Sequence, residues 1–181
     1  MKEGANYIVT ENPQDANLIR KLLPAAALEK VKIKAGSGYS SLLSMAVALL
    51  AGKDNNVVIV ADADSMKKTE YNNRYYFIKN YLRRAAPENQ FKIFLLRPEL
   101  ESIFFENKEV LEQMTGRKFT DLEIELAKAN PKENLYKLLN IERRDFPEIV
   151  RKLPSSVFDK LKESRFSVEL RSHIMGLNHI P

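Results

Sequence analysis

The chain has 181 residues, 44% of them hydrophobic and 29% charged, with a net charge of +5 and no cysteine. On a prior of roughly 100–200 residues per domain, that suits one globular α/β domain with a smaller appendage, and it excludes disulfides and thiolate metal sites. No apolar run reaches the ~18–20 residues of a membrane span, and residues Met1 to Asn6 lack the apolar stretch of a secretory signal, so cytoplasmic residence is the expectation.

In chain order, Tyr7-Ile8-Val9-Thr10 reads as a short strand ending at Glu11. Asn12-Pro13 opens a helix, Asn as the cap and Pro in the first turn, with Ile19, Leu22 and Leu23 as its apolar face and Pro24 as its end. Val31 to Lys34 alternates as a second strand. Gly36-Ser37-Gly38 makes a tight turn, and Ser40 to Leu50 reads as a largely apolar helix stopped by Gly52. Val57-Val58-Ile59-Val60-Ala61 is a strand buried on both faces. Residues 67–86 are helical, with Tyr71, Tyr75, Ile78 and Leu82 on the stripe of a buried face. Phe91 to Leu96 is the fourth strand. Beyond about Ile103 only short helices follow, at roughly 107–115, 120–129, 131–140, 145–152 and 154–163.

The order β-α-β-α-β-α-β predicts a Rossmann-like, mainly parallel four-stranded sheet covered on both faces, followed by a helical C-terminal extension. The boundary is expected near Phe105, giving residues 1–105 and 106–181. The first part carries 15 Lys/Arg against 11 Asp/Glu and the second 14 against 13. The basic surplus therefore lies with the sheet, and it permits a polyanionic partner such as nucleic acid without demanding one.

The chemistry gathers where strands end. Ligands of open α/β sheets bind beyond the carboxyl ends of the strands. Glu11 follows the first strand, Gly36 and Gly38 the second, Asp62 and Asp64 the third, and Glu99 and Glu101 the fourth. Asp15 lies one helical turn after Glu11. If the third strand continues through Asp64, the two aspartates point the same way. Their mutual repulsion raises their pKa values, and a divalent cation relieves it. Oxygen-only ligands favour Mg²⁺ or Mn²⁺. His173 and His179 have no metal-ligand spacing and read as incidental.

Glu11, the Gly36/Gly38 turn and Asp62-Ala63-Asp64 resemble, in order and spacing, the TOPRIM domain of topoisomerases, bacterial primases and OLD-type (overcoming lysogenisation defect) nucleases. Asp15 and the segment Arg97-Pro98-Glu99-Leu100-Glu101 are similar to the additional acids of the OLD branch. The resemblance covers about residues 6–105. It implies metal-dependent phosphodiester hydrolysis of nucleic acid, DNA before RNA, with phage or mobile-element defence as a role. Glu11, Asp62 and Asp64 would then hold one metal, and Asp15 and Glu101 would help hold a second. Glu11 is an alternative proton shuttle. Lys67, with Lys68 beside it, would supply the basic group at the phosphate. No Gly-x-x-x-x-Gly-Lys-Ser/Thr motif is present, so the ATPase of OLD proteins would come from another chain.

Two rivals accompany that reading. The lack of a glycine after Asp64 and the large unassigned tail favour a non-catalytic module that keeps the fold, with one metal or none, and binds a partner. A nucleotide-sugar transferase also carries Asp-x-Asp after a buried strand, but it leaves Glu11 and Asp15 unexplained.

Overall fold

The computed structural model describes residues 4–52 and 54–177. Its four strands, β1 (Asn6–Thr10), β2 (Lys32–Ala35), β3 (Asn56–Asp62) and β4 (Phe91–Leu96), form one sheet in the order β2-β1-β3-β4. Every pairing is parallel. The expected α/β architecture is therefore the one the chain adopts, with all four strands parallel.

The crossovers are α1 (Pro13–Leu22) and α2 (Ala25–Leu28), then α3 (Tyr39–Leu50), then α4 (Lys68–Leu82). Alternation along β3 divides its side chains between two layers. Val57, Ile59 and Ala61 pack with Leu42, Ala46, Ile78 and Leu82 of α3 and α4. Val58 and Val60 face the opposite layer with Ile8, Leu18, Ile19 and Leu22. Both faces are covered, which is why β3 is an unbroken apolar run. Helix α4 ends at Leu82 rather than 86. Of its expected buried stripe, Ile78 and Leu82 are fully enclosed and Tyr71 and Tyr75 half-buried.

A 3₁₀ segment, Leu100–Phe105, leads from β4 to the helices α5 (Lys108–Thr115), α6 (Asp121–Ala127), α7 (Pro131–Leu139), α8 (Phe146–Lys152), α9 (Ser155–Leu161) and α10 (Arg165–Gly176). Their apolar side chains share one cluster with Val58, Val60, Phe94 and Leu96 of the sheet. Phe104 and Phe105, at the expected boundary, are buried within it. Helix α10 lies beyond the pieces read from the sequence. Ser164 accepts a bond from the Ser167 N–H at its start, and Phe166, Leu170 and Ile174 recur every four residues, all buried. At its far end the Lys30 ammonium donates to the carbonyls of Met175 and Leu177, each at 3.0 Å. Among the described residues no helix is long and apolar enough to cross a membrane. His173 packs edge-on against Phe94 at 6.1 Å between ring centroids, while His179 lies outside the described residues.

Candidate functional site

From β1 the chain passes to β2 on one side of the sheet, then crosses to β3 on the other. The carboxyl ends of β1 and β3 therefore flank a topological switch point. Gly38 shapes this edge: its φ of 115° is open to glycine and strained for other residues, and its N–H donates to the Glu11 carbonyl at 2.8 Å.

Glu11 turns its carboxylate across the switch point. Its Oε1 accepts the Asp62 N–H at 3.1 Å and meets Arg74 Nη2 at 3.4 Å. Burial raises the Glu11 pKa, and these two donors oppose the rise. Asn12 caps α1 by accepting the Asp15 N–H at 3.0 Å and returns a bond from its own Nδ2 to Asp15 Oδ2 at 2.8 Å. The cap holds Asp15 inward, where burial first, and then Asp62 and Glu101, push its carboxyl up to about 8.

Asp62 and Asp64 part company. Strand pairing ends at Asp62 opposite Leu96, and Asp64 adopts a left-handed φ of 55°. The strand does not continue through Asp64, so the two carboxylates do not project together. Asp64 is exposed and meets Arg74 Nη1 at 2.8 Å. Asp62 is buried; its Oδ1 accepts the Leu100 N–H at 2.8 Å. Burial raises its carboxyl to about 7, with Lys132 opposing and Glu101 and Glu11 adding to the rise.

The counter-ion arrives from the helical tail. Lys132, in the first turn of α7, places its Nζ 3.4 Å from Asp62, 3.6 Å from Glu99 and 3.3 Å from Glu101. Its backbone N–H also donates to Glu99 Oε1 at 2.6 Å, so the positive end of the α7 dipole faces the same acids. Burial works to lower the Lys132 pKa, but Glu101, Asp62 and Glu99 outweigh it and the net direction is upward. Asp62, Glu99 and Glu101 each offer an oxygen within 4.8 Å of the others. Glu101 is 3% exposed, and its Oε2 has no hydrogen-bond donor aligned with it. Burial raises its pKa too.

Of the expected ligands, the structure thus brings Asp62 and Glu101 to one point and sets Asp15 and Glu11 beside it. Asp64 goes to the Arg74 side. Lys67 is turned to solvent and pairs with Glu70 at 3.0 Å; the cations among the acids are Arg74 and Lys132. Glu99 joins the converging group, although the resemblance points only to Glu101 of that pair. One ammonium facing Asp15, Asp62, Glu99 and Glu101 leaves the pocket short of positive charge, which adds to the burial that raises the carboxyls of Asp15, Asp62 and Glu101.

Compared with known proteins, the chain matches no family model, no curated protein and no solved structure.

Proposed function

We propose that the chain is a divalent-metal-dependent phosphodiester hydrolase acting on nucleic acid, in the manner of a small TOPRIM-like nuclease. The observation that carries the reading is the convergence of Asp62, Glu99 and Glu101 within 4.8 Å, with the buried Glu101 Oε2 3.3 Å from the Lys132 ammonium but without an aligned hydrogen-bond donor. Oxygens bound to one ion by bonds of ~2.0–2.6 Å span just such a separation, and an all-oxygen set suits Mg²⁺ or Mn²⁺. The residues fit the ion. Asp62, Glu99 and Glu101 would hold it, with Asp15 beside them. When bound, such an ion activates water and offsets charge on the phosphate oxygens.

The chain's own groups have separate work. Lys132, released from its carboxylates, neutralises a phosphate at the same edge. Arg74, fixed by Asp64 and Glu11, offers a second cation beside Glu11. Glu11, raised by burial, is positioned to take and return a proton. The test is cleavage of single- and double-stranded DNA and RNA in Mg²⁺ or Mn²⁺. Wild type should cut only with metal, and Asp62→Asn and Glu101→Gln should each abolish cutting. No cleavage under any of these conditions overturns the reading.

One observation favours the non-catalytic alternative. The Lys132 ammonium lies within 3.3–3.6 Å of all three acids, so it can serve as a permanent stand-in for a cation in a partner-binding module. Titration with Mn²⁺ followed by electron paramagnetic resonance separates the two. Stoichiometric binding lost in Glu101→Gln supports the hydrolase, and no binding supports the module.

A further inference from the structure

Helix α4 begins just after Asp64, and its outer face differs from the rest of the surface. Residues 67–84 contain six Lys/Arg and one Glu, a local net charge of +5 that equals that of the whole chain. Lys67, Lys79 and Arg83 are partly satisfied by Glu70 and Glu88. Lys68 and Arg84 are exposed and make no ion pair among the described residues.

Large rings stand between these charges. Tyr76 is 58% exposed and Phe77 56%, although burying such side chains is a main source of folding free energy. They belong to two strings of aromatics. Tyr39, Phe77 and Tyr81 follow one another at 6.5 and 6.2 Å between centroids. Tyr71, Tyr75 and Tyr76 do so at 6.5 and 5.7 Å. The first string runs into the acidic edge, because the Arg74 guanidinium lies 4.0 Å from the centre of the Tyr39 ring while its nitrogens reach Asp64 and Glu11.

We propose that the outer face of α4 is a docking track for single-stranded nucleic acid, its unpaired bases stacking on Tyr76, Phe77 and Tyr81 and its backbone drawn by Lys68, Arg84 and their basic neighbours. Stacking on exposed rings within a basic groove is how sequence-tolerant single-strand binders work. Duplex bases stack on each other and offer no free faces. A second copy of the chain is disfavoured at this face, since a symmetric contact would set its unpaired cations, Lys68 and Arg84, against like charge. The inference rests on the acidic edge being a nucleic-acid site and adds the kind of strand that reaches it.

Fluorescence anisotropy in EDTA at low salt tests the track without metal chemistry. The probes are fluorescein-labelled oligothymidylate, oligouridylate and a duplex of the same length. Wild type should prefer either single strand over the duplex, and Tyr76→Ala/Phe77→Ala should lose roughly ten-fold or more of the single-strand affinity. Lys68→Ala/Arg84→Ala should weaken binding and flatten its salt dependence. Both pairs are exposed, and circular dichroism melts verify that folding is intact. Equal single-strand affinity in wild type and the aromatic variant overturns the proposal, as does a preference for duplex. So does a wild-type dimer that the aromatic variant dissolves on light scattering. Strand binding through α4 without cleavage in any metal counts against the hydrolase alone. Metal-dependent cleavage with single-strand affinity and KM unchanged in the aromatic variant counts against the track alone.

Discussion

Lys132 Nζ and Asp62 Oδ2 lie 70 positions apart in the chain and 3.4 Å apart in space. The contact joins the first turn of α7 to the last residue of β3, and so ties the helical tail to the sheet edge at a charged point.

Removing that ammonium should be costly. Lys132→Ala leaves buried carboxylates facing each other without a counter-ion, and breaking such a pair destabilises by about 2–4 kcal/mol where a little solvent reaches it. Urea unfolding in EDTA at pH 8 measures the loss. The loss should shrink at pH 5, where Asp15 and Asp62 carry protons, and Mg²⁺ should restore part of it at pH 8.

Metal-free stability should fall as pH rises. Burial lifts Asp15 from 3.8 to about 8 and Asp62 from 3.8 to about 7. Between those limits the folded chain holds protons that the unfolded chain has released, so unfolding free energy declines with pH through this window. It is greatest below about 4, relative to this effect alone, and the decline is complete above about 8. Asp15→Asn keeps an acceptor for Asn12 and removes the charge. It should raise stability at pH 8 by on the order of 2 kcal/mol and flatten the profile of melting temperature against pH.

Metal binding should release protons. At pH 6 Asp62, lifted to about 7, is largely protonated, and an ion bound there displaces that proton. Calorimetric titration with Mn²⁺ in buffers of different ionisation enthalpy should show at least one proton lost per ion at pH 6, and fewer at pH 8. At a hundred times the dissociation constant, the ion should add about 2.7 kcal/mol of stability, absent in Glu101→Gln.

The α1 cap links folding to the site. Asn12→Ala removes the bond to the Asp15 N–H and the one returned to Asp15 Oδ2. It should cost about 1 kcal/mol, visible as a lower melting temperature. Asn12→Asp should recover the cap but add a negative charge beside Asp15, so its recovery should be larger at pH 5 than at pH 8.

Local pattern carried most of the fold. The apolar runs of β3 and β4, the Asn12-Pro13 helix start and the glycine turn before α3 all express short-range rules. The first-turn Asp15 and the strand-end Asp62 followed from the same rules. What escaped them was long-range or conformational. Nothing near Lys132 marks it as a counter-ion, because its partners come from β3 and the segment after β4; proximity in sequence pointed to Lys67 instead. The left-handed turn at Asp64 is a backbone event to which Asp is only somewhat prone, and it sends that carboxylate to Arg74. Helix α10 does carry a legible cue, the four-residue recurrence of Phe166, Leu170 and Ile174.

The sharing of one apolar cluster between sheet and tail also bears on synthesis. A chain emerges from the ribosome N-terminus first, so all four strands are available before α7 exists. Until the tail follows, Phe94 lacks Phe166 against its ring, the cluster on that face of the sheet lacks its tail side chains, and the acids at the strand ends lack Lys132. An incompletely translated chain would therefore be both sticky and unfinished at its acidic edge. Completion of the acidic edge waits on α7, well after the last strand has been made.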